Sequence, residues 1–143
     1  TYEKDVLSVV GPVHDVGKIG IPDAILLKPG KLTDDEYDII EAHSVYGEEI
    51  MNRFEILSHE ATMIRHHHER FDGRGYPDGI IGNDIPRGAR IIAVCDTYDA
   101  MVTNRPYRNA LSKEEAVREI IRCKGSQFDP DIAECFVEMV TDA

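Results

Sequence analysis

Hydrophobic residues recur at intervals of three and four along most of the chain, which is the spacing of an amphipathic helix. The first such segment covers residues 6–10 and runs up to His14 and Asp15, and Pro12 is expected to kink or restart it. Another segment, at residues 89–102, is more apolar than the others. The pattern therefore predicts a central, buried helix there.

Helix start signals divide the rest of the chain. Thr33, followed three residues later by Glu36, forms a capping box and predicts a helix that continues to about Arg53. A short helical turn is expected after Pro22, and a further helix is expected to run from Ser58 into a cluster of histidines. A second capping box, formed by Ser112 and Glu115, predicts a helix that ends near Gly125. Asp129 followed by Pro130 predicts the start of one more helix.

Residues 72–88 interrupt the helical pattern, because they contain five glycines and two prolines. A β-hairpin is one interpretation, since Asp78 and Gly79 form a turn dipeptide. A structured functional loop is favoured, because long irregular segments in compact domains are usually functional or disordered. We therefore predict an all-α, single-domain helical bundle that spans residues 1–143 and carries a long Gly/Pro-rich loop.

Composition and charge narrow the classes of function. The 143 residues suffice for one domain with a hydrophobic core, and the net charge is −11, from 27 acidic and 16 basic residues. This charge argues against general nucleic-acid binding, and a phosphate site would need local cations from Lys, Arg or metal ions. No apolar stretch is long enough to cross a bilayer and no signal-peptide pattern is present, which predicts a cytoplasmic location without direct membrane insertion.

Residue types that bind metals are concentrated on a few predicted elements: His14, Asp15, His43, His66, His67, His68, Glu69, Asp96 and Asp99. Imidazole and carboxylate together suit Mn, Fe, Zn and similar divalent ions. Adjacent helical positions point about 100° apart, so one of the three consecutive histidines is expected to face elsewhere. Without context, the histidine run also fits a solvated helix end, and the His14 and Asp15 pair fits a structural role. Asp96 is more informative, because a carboxylate in an apolar run needs a cation partner.

A bridging carboxylate between histidines is typical of two-metal hydrolases, whose metals activate a water and stabilise charge on phosphoryl oxygens. Lys18 follows His14 by one helical turn and is a candidate to hold a phosphate oxygen or protonate a leaving oxygen; the alternative is a solvated lysine. Arg105 and Arg108 flank a tight turn and are candidates for a phosphate clamp, with ordinary surface charge as the alternative.

Five motifs occur in order over nearly the whole chain. They are HDVGKIGIP at residues 14–22, His43 with Gly47, HHERFDGRGYP at residues 67–77, AVCDTYDAM at residues 93–101, and RPYR at residues 105–108. Together they closely resemble the HD-GYP domain, a branch of the HD phosphohydrolase superfamily. The HHE…DGxGYP string is highly specific to that family.

The resemblance implies a fold, an activity, cofactors and partners. The family is an all-helical bundle that hydrolyses cyclic di-GMP, a bacterial second messenger, to pGpG and onward to GMP. Its centre holds two or three divalent metal ions, usually iron or manganese, and two are expected here. The resemblance also implies a diguanylate cyclase (GGDEF) domain as a partner and a regulatory domain in the parent chain.

The resemblance also assigns individual residues. One metal would be held by His14, Asp15 and Asp96, and Asp15 would bridge to a second metal held by His43, His67 and His68. Lys18 matches the lysine near the scissile phosphate, so Asp15 and Lys18 are the residues assigned to catalysis. The remaining substrate contacts are of two kinds: Arg105 and Arg108 to the phosphates, and Gly75, Tyr76 and Pro77 on the guanine side of the site.

The N-terminal segment departs from the family pattern. In the superfamily a helix upstream of the His-Asp pair carries another metal-binding histidine, whereas the thirteen residues before His14 contain none. We therefore expect an N-terminally incomplete domain with one metal under-coordinated. A regulatory module that binds cyclic di-GMP or a diguanylate cyclase without turnover is the alternative function. An HD-type nucleotidase with another substrate is disfavoured by the GYP loop.

Overall fold

The protein is described by a computed structural model that covers residues 2–54, 58–104 and 109–142. These residues form helices α1 to α8 and two short 3-10 helices, and they contain no strand beyond one isolated bridge. The bounds are Tyr2–Val13 (α1), Asp23–Leu26 (α2), Asp34–Glu41 (α3), His43–Met51 (α4), Ser58–His66 (α5), Arg87–Val102 (α6), Lys113–Arg122 (α7) and Pro130–Thr141 (α8), with 3-10 helices at Val16–Gly20 and Gly82–Asp84. The predicted all-α class is confirmed, and residues 72–88 contain no hairpin.

Both predicted capping boxes are present. Thr33 Oγ1 accepts a hydrogen bond from Glu36 N at 3.3 Å, and the Glu36 carboxylate accepts one from Thr33 N at 2.8 Å. Ser112 and Glu115 make the same reciprocal pair at the start of α7. Such a cap contributes about 1 kcal/mol to helix stability. Asp129 also caps α8, as the sequence predicts.

Two boundaries differ from those predicted. Pro12 does not restart α1, which includes it and ends one residue later at Val13. The helix expected from Thr33 to about Arg53 is divided at Ala42 into α3 and α4. The His43 ring bonds to the carbonyl of residue 40, and the Ser44 hydroxyl donates to the carbonyl of residue 41. These side chains compete with the backbone for its hydrogen-bond acceptors, which interrupts a helix.

Helix α6 is central, as its apolar run predicts. One side packs with α1 and α5 in a buried cluster that includes Val10 and Ile64, and its other side packs with α7 and α8 around Phe128. Val10, Ile64 and Val94 are all 0% exposed. Within the described residues, none of the helices has both the length and the apolar character needed to span a membrane.

The first 3-10 helix lies directly against the backbone of α4. A Cβ atom added at Gly17 would be 1.8 Å from the carbonyl oxygen of His43 and 2.5 Å from the backbone nitrogen of Gly47. Gly47 in turn faces Ile64 of α5, whose Cγ2 would be 2.6 Å from a Cβ at Gly47. Glycine is therefore required at both positions, and the close contact brings the segment after α1 beside His43.

Candidate metal centre

The six predicted metal ligands come together at the meeting point of α1, α4, α5 and α6. One ligand atom from each of Asp15, His43, His67 and His68 lies within 4.8 Å of all the others. His14 and Asp96 adjoin this group: His14 Nε2 is 3.5 Å from Asp96 Oδ1 and 3.6 Å from Asp15 Oδ2. Residues separated by more than 80 positions in sequence are thus gathered into one cluster.

The two carboxylate oxygens of Asp15 face different sets of nitrogens. Its Oδ1 lies 3.4 Å from His43 Nε2 and 3.9 Å from His67 Nε2. Its Oδ2 lies near His14 and also pairs with Lys18 Nζ at 2.5 Å. This arrangement suits a carboxylate that bridges two ions.

Each ligand lies at or near a helix terminus, except Asp96. His14 and Asp15 follow the last residue of α1, and His43 begins α4. Helix α5 ends at His66, so His67 and His68 lie in the following turn and both reach the cluster. Asp96 projects from the middle of α6.

His66 is the member of the histidine run that faces elsewhere. Its Nδ1 lies 2.8 Å from the Thr62 carbonyl and its Nε2 lies 2.9 Å from Asp78 Oδ2. The sequence predicts one such outward histidine from helical geometry. The family motif identifies the inward pair as His67 and His68, in agreement with their position in the structure.

Three of the imidazoles are oriented by their own backbone. The Nδ1 atoms of His14, His43 and His67 lie 2.6, 2.5 and 2.6 Å from the carbonyl oxygens of the residues three positions earlier. A carbonyl only accepts, so each Nδ1 carries a proton, and in the neutral form of each ring Nε2 presents a lone pair. All three Nε2 atoms are buried and have no hydrogen-bond partner among the described residues. Divalent metal ions would satisfy them, so the donor set fits a metal centre.

The electrostatics of the cluster also suit metal ligands. Burial lowers the pKa of His67 to about 4 and that of His68 to about 3, and burial also lowers the pKa of His43. These rings are therefore neutral at pH 7, as metal ligands must be. The Asp96 carboxylate, 3.5 Å from His14 Nε2, raises the pKa of His14, and His14 in turn lowers the pKa of Asp96.

Asp15 is held in its charged form. Burial opposes this charge, but Lys18, His14 and His43 together outweigh burial and lower the pKa of the carboxyl group. Lys18 itself is 40% exposed, so its ammonium group faces both Asp15 and solvent. An open cavity of about 400 Å³ lies beside the cluster, and its largely apolar lining includes His14, Asp96 and Asp99.

A second group of metal-binding residue types, His66, Glu69 and Asp78, has a different explanation. The guanidinium of Arg65 forms hydrogen bonds of 2.7 and 2.8 Å with the two carboxylate oxygens of Asp78. These bonds lower the pKa of Asp78 to about 2. Asp78 thus already has a cation partner, and the group is an ion-pair network.

The loop predicted to contact substrate packs on the predicted metal ligand His68. The Tyr76 ring stacks on the His68 ring, with centroids 4.9 Å apart and planes inclined by 24°. A Cβ at Gly75 would lie 2.3 Å from the backbone nitrogen of Arg70, so this glycine has a packing role. Pro77 follows Tyr76 through a cis peptide bond. Arg105 and Arg108 lie outside the described residues.

Two residues that the sequence does not assign to the site support this loop. The sequence identifies Glu69 only as a metal-binding residue type and predicts no role for Arg65. Glu69 accepts hydrogen bonds from the backbone of residues 78 and 79, and Arg65 binds Asp78 and also Glu48 of α4 at 2.7 Å. Their partners are distant in sequence, so only the position of Glu69 within the HHE motif could have drawn attention to it.

The fold is helical, and its donor set is a candidate site for divalent metal ions. A family model described as HD domain matches residues 4–132. The chain belongs to the HD domain family.

Relatives with curated names are consistent with the HD-GYP resemblance. The chain is 45% identical over 135 residues to a protein of Thermotoga maritima named cyclic di-GMP phosphodiesterase, covering 93% of this chain and 37% of that protein. It is 44% identical over 132 residues to the Xanthomonas campestris cyclic di-GMP phosphodiesterase response regulator RpfG, covering 90% and 34%. It is 40% identical over 138 residues to the Vibrio cholerae 3'3'-cGAMP-specific phosphodiesterase 2, covering 95% and 26%.

The chain thus spans between 26% and 37% of the length of these three relatives. A solved structure supports the fold independently. It is a crystal structure of a cyclic GMP-AMP specific phosphodiesterase from Vibrio cholerae, with a TM-score of 0.70 and 20% identity, and the match covers 96% of this chain and 38% of that chain.

Proposed function

We propose that this chain is the catalytic domain of a metal-dependent phosphodiesterase that hydrolyses cyclic di-GMP to pGpG, GMP or both. The observation that carries the proposal is the convergence of three buried Nε2 lone pairs on the carboxylates of Asp15 and Asp96. The names of the relatives, which are phosphodiesterases of cyclic di-GMP or cGAMP, support this class of substrate.

The proposed ligands form two sets that share Asp15. His14, Asp15 and Asp96 would hold one divalent ion, and Asp15, His43, His67 and His68 would hold the other; iron and manganese are the expected metals. Ions bound there would lower the pKa of a water and neutralise charge on the phosphoryl oxygens. The Nδ1–carbonyl bonds keep the histidine lone pairs directed at the ions, which reduces the reorganisation needed when metal binds.

Lys18 supplies the local positive charge that a chain of net charge −11 requires for a phosphate ligand. Its ammonium group is partly exposed beside Asp15 Oδ2, where it can bind a phosphate oxygen or give a proton to the leaving oxygen. Arg105 and Arg108 are proposed as further phosphate contacts. Gly75, Tyr76 and Pro77 are proposed to line the guanine side of the site.

The arrangement of the longer protein is also a proposal. We propose that residues 1–143 act as a phosphodiesterase domain joined to a regulatory domain, with a diguanylate cyclase (GGDEF) domain as a partner. A cytoplasmic location follows from the intracellular origin of a cyclic dinucleotide messenger. Each of these proposals needs the full-length protein for its test.

The test is a substrate panel with the purified protein loaded with Mn²⁺ or Fe²⁺. We expect cyclic di-GMP to be converted to linear products, with 3'3'-cGAMP in parallel as the competing substrate. Asp15→Asn should abolish turnover, whereas Asp5→Asn, at an exposed position of α1, should leave it unchanged. Binding of cyclic di-GMP without product formation in metal-loaded protein would contradict the proposal and indicate a regulatory module. Preferential turnover of 3'3'-cGAMP would show that this dinucleotide, and not cyclic di-GMP, is the preferred substrate.

A further inference from the structure

His68 differs from the other three histidines of the centre. His14, His43 and His67 each have a ring nitrogen anchored on a backbone carbonyl, whereas His68 has no ring-nitrogen hydrogen bond within residues 2–54, 58–104 and 109–142. Its ring is instead held between other rings. Tyr76 stacks on it with centroids 4.9 Å apart, and the His67 ring lies 4.0 Å away, tilted by 44°. The His43 ring also lies 5.0 Å away, so the orientation of His68 depends on the rings around it, of which Tyr76 is the one stacked most nearly parallel.

Tyr76 is in turn held by the backbone of the loop that carries it. Its backbone nitrogen donates a hydrogen bond of 3.4 Å to the His68 carbonyl. Gly75 allows this approach, because a Cβ there would lie 2.5 Å from the same carbonyl oxygen. The 3.4 Å bond is long, so it cannot fix the loop alone.

Glu69 provides the stronger attachment. Its side chain is 3% exposed, and Oε1 accepts hydrogen bonds from the backbone nitrogens of Asp78 at 2.7 Å and Gly79 at 3.0 Å. These two residues directly follow the Tyr76 and Pro77 pair. Bonds from backbone N–H groups to a carboxylate are about twice as strong as neutral ones. A buried carboxylate that makes two of them therefore fixes the C-terminal side of the loop to the histidine segment.

We propose that Glu69 is a positioning residue of the metal centre: by holding residues 78 and 79 it keeps the Tyr76 ring stacked on His68, and so directs the His68 imidazole at the metal. The inference rests on the proposed metal centre. It does not require that the substrate be cyclic di-GMP, because its test measures metal binding.

The test compares Mn²⁺ affinity in the whole chain, measured by titration with detection of free Mn²⁺ by electron paramagnetic resonance. Loss of a residue that orients a metal ligand typically weakens metal binding by about 10–100-fold, so Glu69→Ala should weaken Mn²⁺ binding at least about tenfold. Glu69→Gln keeps an oxygen at Oε1 and should restore most of the affinity. Asp84→Ala, which removes an exposed carboxylate from the same loop, is the matched control and should bind as wild type.

Two further readouts separate positioning from a general loss of stability. Tyr76→Leu should weaken Mn²⁺ binding, whereas Tyr76→Phe keeps the stacked ring and should not. The double variant Glu69→Ala/Tyr76→Leu should lose no more affinity than Tyr76→Leu alone, because both changes release the same imidazole. The visible absorption of bound Co²⁺ should change in Glu69→Ala and in Tyr76→Leu, reporting a lost nitrogen ligand.

Wild-type Mn²⁺ affinity and Co²⁺ absorption in folded Glu69→Ala would overturn the proposal, and so would additive losses in the double variant. Where Glu69→Ala does not fold, Glu69→Asp shortens the carboxylate arm and carries the same expectations. If wild-type protein binds Mn²⁺ but hydrolyses no cyclic di-GMP, the proposed function is contradicted. The positioning role of Glu69 is still tested in that case, because its readout is Mn²⁺ affinity.

Discussion

Gly17 offers a direct test of how the fold positions the site, through the substitution Gly17→Ala. The new Cβ atom would lie 1.8 Å from the carbonyl oxygen of His43, whereas ordinary contact begins at 3.4 Å. The first 3-10 helix and α4 must therefore separate by about 1.6 Å, since both contacting atoms of α4 belong to the backbone. Such overpacking costs about 1–3 kcal/mol of folding stability.

The same displacement acts on the metal centre. Asp15 and Lys18 move with the 3-10 helix, and His43 moves with α4, so the 3.4 Å separation between Asp15 Oδ1 and His43 Nε2 is lost. A misplacement on the order of 1 Å can reduce turnover by about 100-fold. We expect Mn²⁺ affinity to fall by about 10–100-fold as well.

The assay combines urea denaturation with Mn²⁺ titration, and the matched control is Gly11→Ala. Gly11 lies in α1 beside the site, but a Cβ there meets nothing within 4 Å. Replacing a helical glycine with alanine should leave stability unchanged or raise it by about 0.5–1 kcal/mol. Unchanged metal affinity in Gly17→Ala, at a stability equal to that of the control, would refute this account of the contact.

Three further predictions concern the ligands, the loop and the core. His43→Ala should weaken Mn²⁺ binding by at least about tenfold, whereas His66→Ala should leave it within about twofold, and equal losses in the two titrations would contradict the assignment. Asp78, with a pKa lowered to about 2 by hydrogen bonds from Arg65, should stabilise the fold above about pH 4 and lose this contribution as the pH falls toward 2. Urea titrations should therefore show a gap between wild type and Asp78→Asn at pH 5 that narrows near pH 2.5; a constant gap would exclude the ionic contribution. Ile64→Ala should cost about 2–5 kcal/mol in the same assay, because Ile64 is 0% exposed, and a loss under 1 kcal/mol would show that the site is not tightly packed.

The sequence predicts the helical class, the central α6 and the helix caps because each depends on local signals. Apolar residues in a continuous run specify burial, and the hydrogen bonds of Thr33 with Glu36 and of Ser112 with Glu115 span only three residues. The division at Ala42 does not follow from the sequence pattern, because it depends on side chains of α4 that bond to the last carbonyl groups of α3.

For the candidate site, the sequence predicts the residue types but not the contacts that bring distant segments together. The ligand types and motifs identify six residues that the structure brings together. The role of Glu69 depends on the path of a loop that returns to it nine and ten residues later, and no periodicity encodes that path. The bonds from Nδ1 of His14, His43 and His67 span only three residues, but they form at helix ends whose exact positions the sequence does not predict.

The central claim is that Asp15 bridges two metal ions held by the surrounding histidines and Asp96. Titration of the whole chain with Mn²⁺, followed by electron paramagnetic resonance of the loaded protein, tests it most directly. The account predicts two Mn²⁺ per chain with the signal of a magnetically coupled pair, and loss of that coupling in Asp15→Ala. A single uncoupled Mn²⁺ in wild type, or a coupled pair that persists in Asp15→Ala, would contradict it.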